Sequence, residues 1–136
     1  MPIQSIPTPF DTGFLPEKDG HIMSYSQYGN PEGVKILSLH GGPGSKSNVK
    51  YANDFDLSRF HLITFDQRGC GKSEPLGKLE QNTTQDLVED IERLRNQLNI
   101  KDWFVSGSSW GSTLALVYAQ KNPEKVKGLL LSSIFL

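Results

Sequence analysis

The feature that most constrains this chain is the pentapeptide Gly107-Ser108-Ser109-Trp110-Gly111, set between a short apolar run and a helix-forming stretch. A serine hydroxyl is a useful nucleophile only when it projects from the backbone and meets a base. A sharp strand-to-helix turn gives that projection, but it strains the backbone at the nucleophile and crowds its neighbours. Small residues two positions before and after relieve the crowding, and here both are glycine. A helix beginning at Trp110 also aims its positive end at any oxyanion that forms beside Ser109. G-x-S-x-G arises by chance in many turns, so the surrounding pattern has to carry the reading.

That pattern is layered. Apolar runs at 34–39, 61–65, 103–106 and 126–131 are continuous rather than alternating, as in strands covered on both faces of a parallel sheet. Residues 22–28 alternate in a manner that suits a further strand, within a turn-rich opening that holds Pro7, Pro9, Pro16, Gly20, Gly29, Pro31 and Gly33. Over 84–98 the apolar positions Leu87, Val88, Ile91, Leu94 and Leu98 form one helical stripe. Thr83 is its expected N-cap, with Asp86 three residues on approximating a capping box. A second helix is predicted from Trp110 to about Lys121, stopped by Asn122-Pro123. The alternation of strand and helix predicts an α/β layer fold with a mostly parallel sheet and flanking helices. Residues 1–33 are read as N-terminal strands and turns, and 34–136 as a parallel βαβ core carrying the serine elbow.

A second motif, His40-Gly41-Gly42-Pro43-Gly44, follows directly on the run 34–39. On the α/β-hydrolase fold one oxyanion donor is the backbone N–H after the nucleophile, and the other comes from the loop after this strand. Trp110 and Gly42 fill those places. Glycine lets backbone approach the substrate, and Pro43 stiffens the loop. His40 reads as a residue packing the loop rather than as a base. In the segment 66–73, Asp66-Gln67-Arg68-Gly69-Cys70-Gly71-Lys72-Ser73, the ending resembles a phosphate loop, but the glycine required five residues before Gly71 is replaced by Asp66. Asp66 and Arg68 are expected to tie down the loop here.

These residues together resemble the prolyl aminopeptidase (proline iminopeptidase) family of α/β-hydrolases. The resemblance rests on HGGPG at 40–44, FDQRGCGKS at 65–73, NTTQDLVEDIERLR at 82–95 and GSSWGSTLALVYAQKNPEKV at 107–126. It implies acyl transfer at Ser109 with Gly42 and Trp110 as oxyanion donors, no cofactor and no metal, and a peptide substrate with N-terminal proline. Two departures are Ser108, where the family usually has glycine, and Ser132-Ser133, where it usually has Arg-Gly. Triads on this fold run serine, acid, histidine along the chain. After Ser109 there is no histidine and no aspartate, Glu124 is the only acid, and His21, His40 and His61 all precede the nucleophile. The sequence therefore reads as the N-terminal half of the fold. The triad Asp and His, the helical cap and the C-terminal strands are all missing, so it is expected to be inactive by itself. The alternatives are another α/β-hydrolase, an esterase or amidase, and a non-catalytic remnant of a split or decayed gene.

Charge narrows the partners further. With 14 basic and 15 acidic residues and a net charge of -1, no nucleic-acid face is advertised. No apolar stretch approaches the ~20 residues of a membrane span. The opening MPIQSIPTPF lacks a basic region and an apolar core, and Cys70 is the single cysteine, so a cytoplasmic protein is expected. Val126 to Leu136 is apolar, with no charge after Lys127. That predicts self-association through an unpaired C-terminal strand edge.

Overall fold

The computed structural model describes residues 8–40, 56–67, 83–108 and 110–132. Along these residues lie β1 (Asp11–Phe14), β2 (Ser24–Gly29), β3 (Val34–Leu39), β4 (Phe60–Phe65), α1 (Thr84–Gln97), β5 (Trp103–Ser108), α2 (Trp110–Lys121) and β6 (Val126–Ser132). One sheet takes all six strands in the order β1-β2-β4-β3-β5-β6. β3 pairs in parallel with both β4 and β5, and β5 pairs in parallel with β6. β2 is antiparallel to β1 and to β4. The mostly parallel sheet read from the apolar runs is the one found.

The helix caps follow from the sequence. Thr83 Oγ1 accepts from the Asp86 N–H at 3.1 Å, and Asp86 Oδ2 accepts from the Thr83 N–H at 2.9 Å, a complete capping box. α1 buries Leu87, Val88, Ile91 and Leu94, each contributing about 1.5–3 kcal/mol of burial. They meet Leu114, Ala115 and Tyr118 of α2 and the strand residues Leu37, Leu39, Ile63, Phe65, Trp103 and Val105 in one core. Arg95 clamps Glu92 at 2.7 and 3.0 Å and donates to the Ile100 carbonyl at 2.8 Å, closing the C-terminal end of α1. α2 gives way to a 3-10 turn over Pro123–Lys125, where proline blocks its continuation.

The expectation of strands covered on both faces needs correction. β4 is buried from His61 to Phe65, but β5 alternates, with Trp103, Val105 and Gly107 buried and 104, 106 and 108 half-buried. On β6, Leu129 and Leu131 pack against the core while Leu130 is 48% exposed. The reason is that α1 and α2 share the core of one sheet face. Among the described residues the hydrophobic cluster on the opposite face is the smaller one, Tyr28, Ile36 and Leu62 with Leu57, Phe60 and Phe104 against them. The first turn-rich stretch also contains a strand that was not read from the sequence, β1, and the strand expected over 22–28 is Ser24–Gly29.

Candidate active site

The topology singles out one end of the sheet. β3 and β5 lie side by side with Leu39 opposite Gly107, and the next strands, β4 and β6, lie on opposite sides of this pair. The strand order reverses there, and in open α/β sheets ligands bind in the crevice outside the carboxyl ends of such strands. His40 follows β3 directly, and position 109 falls between the end of β5 and the start of α2. The described residues of both motifs, His40 on one side and Gly107, Ser108, Trp110 and Gly111 on the other, therefore lie at the reversal point. Ser109 and Gly42 themselves lie outside the described residues, as do Arg68 and Cys70.

The close packing around this turn explains its glycines. A Cβ on Gly107 would come within 3.0 Å of the carbonyl group of Gly111 and of the Ser112 nitrogen. A Cβ on Gly111 would meet the carbonyl oxygens of Leu39 and His40, the second at 2.9 Å. All of these are backbone atoms, which a side chain cannot push aside without moving β3 or α2. The two glycines flanking position 109 thus bring the first turn of α2 against both β5 and the exit of β3. Trp110 opens the helix, half-buried and packed against the core.

The residues just past β3 and β4 and the first residue of α2 are tied together beside this turn. His40 is 3% exposed, and its Nε2 accepts from the Gln67 backbone N–H at 3.1 Å. The Gln67 side chain donates from Nε2 to the His40 carbonyl at 3.2 Å and accepts at Oε1 from Trp110 Nε1 at 3.2 Å. Asp66 accepts from Ser24 Oγ at 3.1 Å, and its backbone N–H donates to the Ser24 carbonyl at 2.9 Å, which anchors the end of β4 to β2. His40 is therefore buried and packed here, as read from the sequence, while the loop that Asp66 and Arg68 were expected to tie down lies outside the described residues from 68 onward. Gln67 was not singled out from the sequence. Its signal was a carboxamide placed directly after a buried strand and its terminal aspartate.

The described histidines offer no exposed imidazole. His21, His40 and His61 are 0%, 3% and 5% exposed. His61 lies at the far end of the sheet, since it pairs with Lys35 whereas Gly107 pairs with Leu39. Four residues of strand separate those positions, about 13 Å. His61 Nε2 meets Gln27 Oε1 at 2.7 Å, and burial, then Lys35, push its imidazole down to about 4.

Residues 35–136 match the family described as alpha/beta hydrolase fold. The chain belongs to the α/β-hydrolase fold family. Among its relatives in that family, the chain is 52% identical over 128 residues to a probable proline iminopeptidase of Leptolyngbya boryana, covering 94% of this chain and 40% of that protein. It is 48% identical over 131 residues to the proline iminopeptidase of Neisseria gonorrhoeae, covering 96% and 42%. The crystal structure of a proline iminopeptidase-related protein from Thermus thermophilus superposes with a TM-score of 0.82 at 28% identity, covering 93% of this chain and 45% of that one. This α/β-hydrolase chain thus spans about two fifths of the length of the curated relatives it matches. The resemblance read from the four motifs agrees with these similarities. No described helix of the chain is long and apolar enough to cross a membrane.

Proposed function

We propose that this chain supplies the nucleophile and oxyanion hole of a cytoplasmic serine peptidase that releases N-terminal proline from peptides. The observation that carries this reading is the contact of Gly111 with the Leu39 and His40 backbone, at the start of one motif and within the other. The glycine-bounded turn at 107–111 meets the exit of β3 at His40, in a chain about half identical to proline iminopeptidases over nearly its whole length. In this reading the Ser109 hydroxyl attacks the carbonyl carbon of the N-terminal proline. The oxyanion so formed is held by the backbone N–H groups of Trp110 and Gly42. Its collapse expels the shortened peptide and leaves a prolyl ester on Ser109, which water hydrolyses. Proton transfer needs a base, and none follows Ser109 in these residues. The base, its acidic partner and the pocket for the proline amine are assigned to the part of the relatives' length that this chain does not span, and a protein of that full length is the complete enzyme. A single cysteine, Cys70, accords with a reducing compartment.

The test is hydrolysis of amino-acid arylamides by the complete enzyme. Proline arylamide is expected to be cleaved in strong preference to alanine or leucine arylamides and to simple acyl esters. Equal or faster turnover of the esters would favour an esterase instead.

A second reading concerns association. In the sheet order, β6 has no neighbour beyond it among the described residues, and it presents Leu130 on the face away from the helices. An unpaired edge with an exposed leucine is a template for strand addition. We infer that the 136 residues, taken alone, self-associate through β6.

A further inference from the structure

The Gln67 carboxamide is the point where three segments meet. It sits just past the C-terminal end of β4, 1% exposed. One of its polar atoms holds the exit of β3, through the His40 carbonyl, and the other holds the first residue of α2, through the Trp110 indole. The Gln67 backbone N–H adds a third bond, to the His40 imidazole. A carboxamide both donates and accepts from one planar group, whereas a carboxylate offers only acceptors and would face the His40 carbonyl with a lone pair. Leucine of similar size would remove both side-chain bonds, the one to the His40 carbonyl and the one from the Trp110 indole.

We propose that Gln67 is a positioning residue for the reaction: its side chain fixes the exit of β3 and the start of α2 relative to each other, and so sets the spacing of the two oxyanion donors. This inference rests on the assignment of Trp110 and Gly42 as those donors. Trp110 and Gly42 stand 68 positions apart in the sequence, so their relative placement depends on contacts between distant segments. Donor placement matters at the scale of ~1 Å, where misplacement costs on the order of 10²-fold in turnover.

The test uses the complete enzyme with proline arylamide. Gln67→Leu and Gln67→Glu are expected to lower kcat by about 10–100-fold while KM changes less than about threefold, because the lost contact acts in the transition state. Trp110→Phe keeps the backbone N–H and the aromatic bulk but removes the indole donor, and it should show the same kcat loss. The double variant Gln67→Leu/Trp110→Phe should then be no slower than the slower single variant, since both remove one linkage. In ¹⁵N-labelled protein, Gln67→Leu should shift the Trp110 indole N–H resonance. If Gln67→Leu fails to fold, Trp110→Phe carries the kinetic test alone. A kcat within about twofold of wild type in either single variant, or losses that multiply in the double variant, would overturn the proposal. Ser109→Ala separates the two levels. If it is inactive while Gln67→Leu is fully active, only the positioning role falls. If it keeps its turnover, the donor assignment falls and this inference with it.

Discussion

The carbonyl group of Gly111 occupies the space that any side chain at Gly107 would need. Strand β5 and helix α2 touch at this point, backbone against backbone, across the turn that holds position 109. The contact leaves no soft atom to yield. Gly107→Ala and Gly111→Ala are each expected to destabilise the complete enzyme by on the order of 1–3 kcal/mol, the usual cost of overpacking, and to lower turnover more than melting temperature suggests. Thermal melts followed by circular dichroism, paired with kcat, check this. An unchanged melting temperature in Gly111→Ala would mean that the exit of β3 is free to move.

Tyr118 of α2 joins both helices to the sheet. Its hydroxyl donates to Glu92 Oε2 at 2.6 Å and accepts from Trp103 Nε1 at 3.2 Å, while Arg95 holds the same carboxylate. Burial pushes the Tyr118 hydroxyl up, and its bond to Glu92 adds to that. Burial opposes ionisation of Glu92, but hydrogen bonds from Arg95 and Tyr118 outweigh it and hold the carboxyl below its usual range. Tyr118→Phe removes one oxygen and leaves the buried Trp103 indole N–H without that acceptor. A loss of about 1–3 kcal/mol in denaturant titration is expected. A change below about 0.5 kcal/mol would show that a water replaces the hydroxyl.

His61 is expected to make the fold acid-sensitive. Gln27 donates from Nε2 to Asp11 at 2.7 Å, so its Oε1 faces His61 and requires the proton on His61 Nε2. Protonation of the buried Nδ1, which has no partner, would place an unpaired charge in the interior. The imidazole is held at about 4 in the folded protein, against 6.5 for the free group. Between those values the unfolded chain takes up a proton that the folded chain refuses. The His61 contribution to stability is therefore complete above the free value and falls away as pH drops toward the folded one. His61→Gln, which keeps a donor toward Gln27, should flatten the fall in melting temperature between about pH 7 and pH 4. An identical slope in both proteins would place the acid sensitivity elsewhere.

Apolar runs marked the parallel strands, a helical stripe and capping box marked α1, and the Asn122-Pro123 stop marked the end of α2, because those elements are decided by local burial and by local hydrogen bonds. α2 was read with the limits it has, and α1 to within one residue. β1 escaped because Asp-Thr-Gly-Phe is exposed along most of its length and is a strand only through its pairing with β2. The Gln67 bridge and the Glu92–Tyr118 link escaped for a related reason. Each joins residues 26 or more positions apart, and no period within one element reports such a meeting. The glycines at 107 and 111 were legible as a motif, but what they make room for, the carbonyls of Gly111, Leu39 and His40, appears only in three dimensions.

The edge of β6 gives a prediction for the 136 residues alone. Light scattering after size-exclusion chromatography should show oligomers or aggregate, and Leu130→Lys, which puts a charge on the exposed face, should shift the distribution toward monomer. A monodisperse wild-type monomer with a cooperative thermal transition would contradict self-association through this strand.

Ser109 is proposed as the nucleophile of a proline-releasing enzyme. The most direct test is covalent trapping of the complete enzyme by a serine-directed phosphonylating agent, with the modified peptide located by mass spectrometry. One phosphonyl group on Ser109 is expected, appearing in step with the loss of proline arylamide hydrolysis and slowed by proline present as competitor. The chain alone should label far more slowly, because removal of the base typically costs on the order of 10⁶ in turnover. Full inactivation of the complete enzyme with Ser109 unmodified, or with the label on another residue, would contradict the account.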